Sequence, residues 1–370
     1  MSPRYAHGLV IGKFYPPHAG HHHLVDTAAE RCALVTVVVA ASSVESIPLA
    51  LRTAWLREAH PQPHVVVAPV VDDIEIDYDD PEVWAAHVEV FRHALALAHG
   101  GLAPDVDAVF SSEAYGPELA RRFGGAHVAV DPDRIRYPVS GTMVRDDPVS
   151  AWPWLSPAVR AHLARRVVVL GAESTGTTTL ARALAAHYAA RGGVWAATRW
   201  VPEYGRTYCE EKLALARRTA KAAGAPEPWL DDLEWRPEEF RLIAHRQLGW
   251  EEAAARTGSP VLFCDTDALA TALWHERYLG AVSSEVLRVH ERARHDLWIH
   301  TSVDGVPFEQ DGWRDGEHVR HGMDRRMRAE LADRGLPHVV VSGPPEERLA
   351  TAVRVVDDLL AAGREFAPPL

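Results

Sequence analysis

An α/β fold in two domains is what this sequence predicts, and three observations carry that reading. Near the N-terminus the apolar run Gly8–Ile11 enters a turn rich in Pro and Gly. A helical pattern follows from about Gly20, with Leu24 and Ala28 on one face, and then a second apolar run at 34–40. Strand, turn, helix and strand in that order make a βαβ unit. The same order restarts at Val167–Leu170, where an apolar run meets the glycine-bracketed loop 171–179 and a helix expected over 181–191. The length of 370 residues allows two domains that each bury a core. The first is expected over residues 1–150, a turn-rich linker containing Trp152-Pro153-Trp154 over 151–164, and the second over 165–370.

Composition narrows the class. The chain is 47% hydrophobic and 24% charged, with a formal net charge of −12. That balance argues against broad, salt-driven nucleic-acid binding, which needs a basic face. No run approaches the length of a membrane span, and no basic and apolar leader precedes the first strand, so cytoplasm is the expected compartment. Cys32, Cys209 and Cys264 are too scattered for a disulfide framework or a zinc knuckle. A homo-oligomer is compatible with the sequence but not readable from it.

Within the first domain, Arg52 and Arg57 lie on a helix expected over 49–60 and read as a solvated face. The strand 65–71 ends in Asp72-Asp73, and with Glu75, Asp77, Asp79 and Asp80 this makes an acidic loop. Such loops are usually solvated, with an alternative role in placing Mg²⁺. Pro81 opens a helix whose apolar face is expected to hold Val83, Ala86, Val90, Ala94 and Leu97. Trp84 at its start reads as packing or as a base-stacking group. A strand at 107–110 delivers Ser111-Ser112-Glu113 and Tyr115-Gly116 to the edge where open α/β sheets bind ligands.

The first βα turn, Gly12-Lys13-Phe14-Tyr15-Pro16-Pro17-His18-Ala19-Gly20-His21, carries the unusual residues. A helix N-terminus offers unpaired N–H groups and partial positive charge, which suit phosphate. His18 and His21 add donors, Gly20 permits close approach, and Lys13 is one of only three lysines in the chain. Further on, Ser140-Gly141-Thr142-Met143-Val144-Arg145 reads as the start of another helix, with hydroxyls and a guanidinium toward phosphate. The two stretches together resemble the HxGH nucleotidyltransferases, which join a nucleotide monophosphate to a phosphorylated partner and release pyrophosphate. The resemblance implies a Rossmann-like domain with His18 and His21 at the α- and β-phosphates and Lys13 and Arg145 at the triphosphate. Gly12, Phe14, Gly20, Ser140, Gly141 and Thr142 would line the nucleotide.

In the second domain, Gly171-Ala172-Glu173-Ser174-Thr175-Gly176-Thr177-Thr178-Thr179 satisfies the phosphate-loop pattern GxxxxGK[ST] except at its lysine, where Thr177 stands. The loop N–H groups can still cradle phosphate, and Thr178 is placed for Mg²⁺. Lys212, Lys221 and a later arginine-rich segment are the available cations to replace the missing ammonium. Val261–Asp265 reads as a buried strand ending in an Mg²⁺-organising carboxylate. Glu203, after a strand expected near 194–197, and Asp267 are the candidate proton acceptors for a ribose hydroxyl. Arg314, with Arg320, Arg325, Arg326 and Arg328, lies where a lid would bring arginines over phosphates, although a solvated helix is the plainer reading. A strand at 338–341 and a helix at 345–362 close the chain.

Taken together, GKFYPPHAGH, SSEAYG, PVSGTMVR, GAESTG, PEYGR, CDTD and QDGWR resemble the NadR-type bifunctional proteins over residues 5–365 or so. These combine nicotinamide-mononucleotide adenylyltransferase with ribosylnicotinamide kinase. The resemblance implies ATP and Mg²⁺ as cosubstrate and cofactor, with nicotinamide riboside and nicotinamide mononucleotide as the other small-molecule substrates. Tyr204, Trp274 and Trp313 are candidate stacking partners for the nicotinamide ring. Some members begin with a DNA-binding helix-turn-helix; here the first strand starts by residue 8, so no DNA partner is expected. The competing reading keeps the adenylyltransferase and makes the lysine-less domain a nucleotide-binding regulatory module.

Overall fold

A computed structural model describes residues 4–309 and 316–370. The chain forms two compact units: residues up to Val159 together with Arg364–Leu370, and Arg160–Gly363. The second domain was expected to run to 370, but its compact unit ends at Gly363. Residues 364–370 return to the first unit.

The first unit is a parallel sheet of β1 (Tyr5–Gly12), β2 (Cys32–Ala41), β3 (Val65–Val71), β4 (Ala108–Ser111) and β5 (Ala126–Ala129), in the order β3-β2-β1-β4-β5. Strand order reverses between β1 and β4, which opens a crevice at their carboxyl ends. Both faces of the sheet are covered, so the strands read as continuous apolar runs. Alternate residues supply two cores: Val10, Val35, Val37 and Val39 pack with Leu24 and Val25 on one face. Leu9, Ile11, Val38 and Val109 pack with Phe91 and Leu95 on the other.

The helix Pro81–Ala98 is where expected, capped by Asp80, but its buried face is Val88, Phe91, Ala94 and Leu95. Leu97, expected in the core, is 66% exposed. The connector expected over 151–164 contains a helix, Pro157–Leu163, and Trp152 and Leu155 are buried.

In the second unit, β6 (Arg165–Gly171), β7 (Arg199–Val201), β8 (Val261–Asp265), β9 (Leu297–Thr301) and β10 (His338–Val341) form a parallel sheet in the order β10-β9-β6-β8-β7. The central strand β6 is buried between β8 and β9, which explains its unbroken Val167-Val168-Val169-Leu170 run. Helix Thr177–Ala189 starts directly after Gly176, within the stretch 171–179 and four residues before the expected start, with Leu184 and Tyr188 in the core. The strand expected near 194–197 is instead a 3₁₀ turn, Gly193–Ala197, entered through Gly192 and Gly193 at positive φ. Pairing with β8 begins only at Arg199. A second, smaller core joins helices Pro237–Thr257, Ala268–Leu279 and Ser284–Arg292 through Phe240, Ala272, Val286 and Val289. Among the described residues no helix is long and apolar enough to cross a membrane.

Candidate active sites

The first site is a cavity of about 470 Å³ at the carboxyl ends of β1 and β4. Its wall brings together Gly12, Lys13, Phe14, His18, Gly20, His21, Ser140, Gly141, Thr142 and Arg145, all from the two stretches singled out by sequence. His18 caps the helix Ala19–Arg31 and stacks on His21, with ring centroids 3.8 Å apart. Gly20 lies close against that pair: a Cβ there would stand 3.2 Å from the His18 ring, which would have to give by a few tenths of an ångström. Burial, with His22 and Arg134 nearby, lowers the His18 pKa to about 3. Burial and the His18 ring hold His21 well below the usual imidazole value. Both Nδ1 atoms are buried without a hydrogen-bond partner. The pair is therefore neutral at physiological pH and has imidazole nitrogens to offer a ligand.

The turn is braced from below. Arg52, read from sequence as solvated, is fully buried. It donates to the Lys13 carbonyl at 3.0 Å, the Ile47 carbonyl at 2.8 Å and Glu45 Oε2 at 2.5 Å, and lies 4.3 Å from the Tyr15 ring centre. A buried guanidinium is tolerable only with such partners. Lys13 shares the same Glu45, at 3.3 Å. Arg145 donates to the Tyr15 carbonyl at 2.7 Å, which ties the second stretch to the first. Ser140 caps its helix by accepting from the Met143 N–H at 3.2 Å. Tyr15 in turn donates to the Ala367 carbonyl at 3.0 Å, and Pro369 reaches the cavity wall.

The acidic loop is largely structural. Asp72 is buried against His87 Nδ1 at 2.7 Å, and Asp73 accepts from Ser42, and from the Ser43 backbone and hydroxyl. Sequence reasoning passed over Arg134, which lines the cavity at positive φ and pairs with Glu113 at 2.7 Å. The signal was Asp131, whose carboxylate collects the N–H groups of Ile135, Arg136 and Tyr137 and so shapes the loop. Trp84, Tyr78 and Tyr115 form an aromatic wall; the two tyrosine rings stack at 6.0 Å.

The second site is a cavity of about 930 Å³ built on the loop after β6. Gly171, Glu173, Ser174, Thr175, Gly176, Thr177, Thr178 and Thr179 all line it, with Glu203 and Asp265 opposite. Gly176 has φ +84°, a conformation that glycine adopts without strain, and it caps the helix Thr177–Ala189. Thr178 Oγ1 donates to Asp265 Oδ2 at 2.5 Å. Burial raises the Asp265 pKa, so a cation beside it would relieve an unfavourable charge. A hydroxyl and a carboxylate together are hard oxygen donors of the kind Mg²⁺ takes, and the pair fits that ion. Glu203 is raised to about 7, chiefly by burial and then by the charge of Asp265.

Several expectations fail here. Asp267 does not line the cavity: it is fully buried, caps the helix Ala268–Leu279 through the Ala270 N–H, and accepts from Trp298 Nε1 at 3.0 Å. An aspartate so enclosed cannot meet a ribose hydroxyl. Lys212 is held by Glu239 at 2.8 Å and lies over the Trp235 ring, so it does not replace the missing loop lysine. Lys221, in the last turn of helix Tyr204–Ala223, does not line the cavity either. Among the described residues, Arg206, three residues after Glu203, lines the cavity, as does Arg348. Arg348, which drew no attention in the sequence, donates to the Thr175 carbonyl at 2.7 Å and the Gly343 carbonyl at 2.7 Å, and Arg320 donates to the Ser174 carbonyl at 3.2 Å. Both arginines shape the loop. Arg314 and Trp313 lie outside the described residues. Trp274 lines the cavity together with Trp235, Phe240 and Tyr278, whereas Tyr204 does not.

Fold and sites together define a two-unit α/β protein: a nucleotidyltransferase-like unit followed by a phosphate-loop unit. The cytidylyltransferase-like family matches residues 9–147, and the AAA domain family matches residues 166–348. The chain is a homologue of NadR. It is 26% identical over 323 residues to the trifunctional NAD biosynthesis/regulator protein NadR of Escherichia coli K12, covering 83% of this chain and 71% of that one. The Salmonella typhimurium protein of the same name is 25% identical with the same coverage. Two solved NadR structures share the fold at 22% identity. One, in complex with NR, has a TM-score of 0.66, with 97% of this chain and 96% of that chain covered. The other, in complex with NAD and AMP-PNP, has a TM-score of 0.68, with coverages of 98% and 99%.

Proposed function

We propose that the first unit transfers AMP from ATP to nicotinamide mononucleotide, giving NAD and pyrophosphate, and that the second phosphorylates nicotinamide riboside to supply that mononucleotide. The observation that carries the first half is the buried, stacked His18–His21 pair at a helix N-terminus, within a cavity that also holds Lys13 and Arg145. The name borne by the E. coli and Salmonella relatives, NAD biosynthesis/regulator protein, supports the pathway, and the NR, NAD and AMP-PNP complexes of NadR support the ligand classes.

In the adenylyl step a phosphate oxygen of the mononucleotide attacks the α-phosphorus of ATP and pyrophosphate leaves. The nucleophile is already anionic, so alignment and charge stabilisation supply the catalysis. His18 and His21 donate to the α- and β-phosphates, while Lys13 and Arg145 take the triphosphate and Gly12, Phe14, Gly20 and the Ser140-Gly141-Thr142 turn shape its bed. Arg134 adds positive charge from the loop opposite. In the kinase step Glu203 accepts the proton of the ribose hydroxyl as its oxygen attacks the γ-phosphorus of ATP, the β–γ bridging P–O bond breaks and ADP leaves. The loop 171–179 cradles the phosphates, and Arg206 supplies the cation that Thr177 lacks. Thr178 and Asp265 would hold Mg²⁺, which neutralises phosphate charge when bound.

The lysine-less loop favours a second reading, an adenylyltransferase with a nucleotide-binding regulatory unit. The test supplies ATP and Mg²⁺ with either nicotinamide mononucleotide or nicotinamide riboside and follows products by chromatography. NAD from both is expected; NAD from the mononucleotide alone would establish the second reading. His18→Ala and His21→Ala should each lower NAD formation from the mononucleotide by roughly 10²–10³-fold with the fold intact. Unchanged turnover in either would refute the assignment.

A further inference from the structure

Behind the second cavity lies a buried group of side chains that neither phosphate chemistry uses. Asp267 begins the helix Ala268–Leu279, His290 is in the last turn of helix Ser284–Arg292, and His295 sits in the loop before β9. The three side chains are 0%, 9% and 2% exposed. The Nδ1 atoms of His290 and His295 each lie 3.7 Å from the same atom, Asp267 Oδ2, and neither has a hydrogen-bond partner.

That spacing is informative. It is too long for a hydrogen bond. Ligands held about 2.0–2.1 Å from a tetrahedral zinc ion, however, sit roughly 3.4 Å from one another. The other ring nitrogen of His295 behaves differently, lying 2.7 Å from Glu251 Oε2, a hydrogen-bond distance. Glu251 therefore fixes a proton on Nε2, while Nδ1 faces the Asp267 carboxylate. An imidazole nitrogen buried against a carboxylate calls for a cation between them, a proton or a metal ion. A carboxylate behind a ligating histidine is a recurrent feature of metal sites. Asp267 is oriented in the same manner, by Trp298 Nε1 and the Ala270 N–H. Cys264, with Glu251 and His295, completes a neighbouring group of donors. The short Glu251–His295 contact marks that group as a hydrogen-bonded bracket. The nearby Arg166 is engaged by Glu252 at 2.6 Å and by the Ala161 carbonyl.

We propose that Asp267, His290 and His295 form a structural site for a divalent transition metal of the zinc class, with Glu251 as the carboxylate that orients His295. Two imidazole nitrogens and one carboxylate oxygen suit zinc better than magnesium or calcium. The ion would join the start of helix Ala268–Leu279 to helix Ser284–Arg292 and to the loop entering β9. The first of these helices carries Thr271, Trp274 and Tyr278 on the wall of the second cavity, so the metal would brace that wall without touching substrate.

The experiment uses the full chain, stripped with a chelator and titrated with Zn²⁺ in competition with a chromophoric chelator, in the absence of nucleotide. Co²⁺ serves as a spectroscopic substitute. One equivalent with a Kd of about 1 µM or tighter is expected, together with the intense visible bands of tetrahedral Co²⁺ and a rise in the melting temperature of the stripped protein. His290→Gln and Asp267→Asn should abolish that equivalent, and Glu251→Gln should weaken it about 10–100-fold. If a variant does not fold, the Co²⁺ spectrum and zinc-dependent melting of the wild-type chain still decide. No stoichiometric binding would overturn the proposal and leave a proton on His295 as the bridge between Glu251 and Asp267. Binding that these substitutions do not alter would overturn it equally, by locating the zinc elsewhere.

Discussion

At the scale of single residues, burial sets chemistry in both units. Arg52 is a structural cation: its replacement by Ala removes one partner of a fully buried ion pair and leaves Glu45 with Lys13 and the Ser42 N–H. A loss of about 3–5 kcal/mol is expected, read from the unfolding transition of the first unit in urea. Glu203 is the opposite case, a carboxyl that burial has moved into the physiological range. A proton acceptor must be ionised, so ribosylnicotinamide phosphorylation should rise with pH through an inflection near 7 and level off above it. Glu203→Gln should flatten that profile and lower the plateau about 10²–10⁴-fold; a profile unchanged in the variant would remove Glu203 from the role. His18, His21 and Arg145, singled out by motif spacing, line the first cavity, and Glu203, the one of two candidates left once Asp267 is set aside, lines the second. Arg52 and Asp267 were misjudged. Whether a charged residue is solvated or enclosed depends on partners distant in sequence, such as Glu45 for one and Trp298 for the other.

Elements were legible in proportion to their local signals. The strands 65–71, 261–265 and 338–341 lie where their apolar runs place them. The face of helix Pro81–Ala98 was not, because several apolar stripes fit one helical pattern and the sheet beneath selects among them. The strand expected near 194–197 failed because two glycines turned the chain before pairing began. The phosphate loop is the most consequential element, since its geometry is intact and only its cation is changed. Arg348 and Arg320 hold its Thr175 and Ser174 carbonyls, and Gly176 keeps its left-handed conformation. Thr177→Lys should therefore raise phosphorylation of nicotinamide riboside by roughly tenfold or more, measured at saturating ATP. A fall in rate would mean that Arg206 occupies the place of the ammonium and that the two cations conflict.

For the whole molecule, two compact units in the expected order were readable from length and from the restart of the βαβ pattern at residue 167. The return of residues 364–370 was not, because a short irregular segment carries no periodicity. It is nonetheless specific: the Ala367 N–H donates to Ser46 Oγ at 2.7 Å, its carbonyl accepts from Tyr15, and Phe366 meets the Tyr15 ring edge-on at 6.1 Å. A fragment of residues 1–159 should lose about 2 kcal/mol with these two hydrogen bonds, read as a lower melting temperature than the same unit shows in the full chain. Appending residues 364–370 through a flexible linker should restore it; equal melting of both fragments would make the segment incidental. The consequence reaches into synthesis, because a chain leaves the ribosome from its N-terminus. The unit that begins first is finished last: its Tyr15 turn waits for residues made only after the whole second unit has been synthesised. A chain ended at residue 363 would therefore carry a complete second unit and a first cavity still lacking one side of its frame.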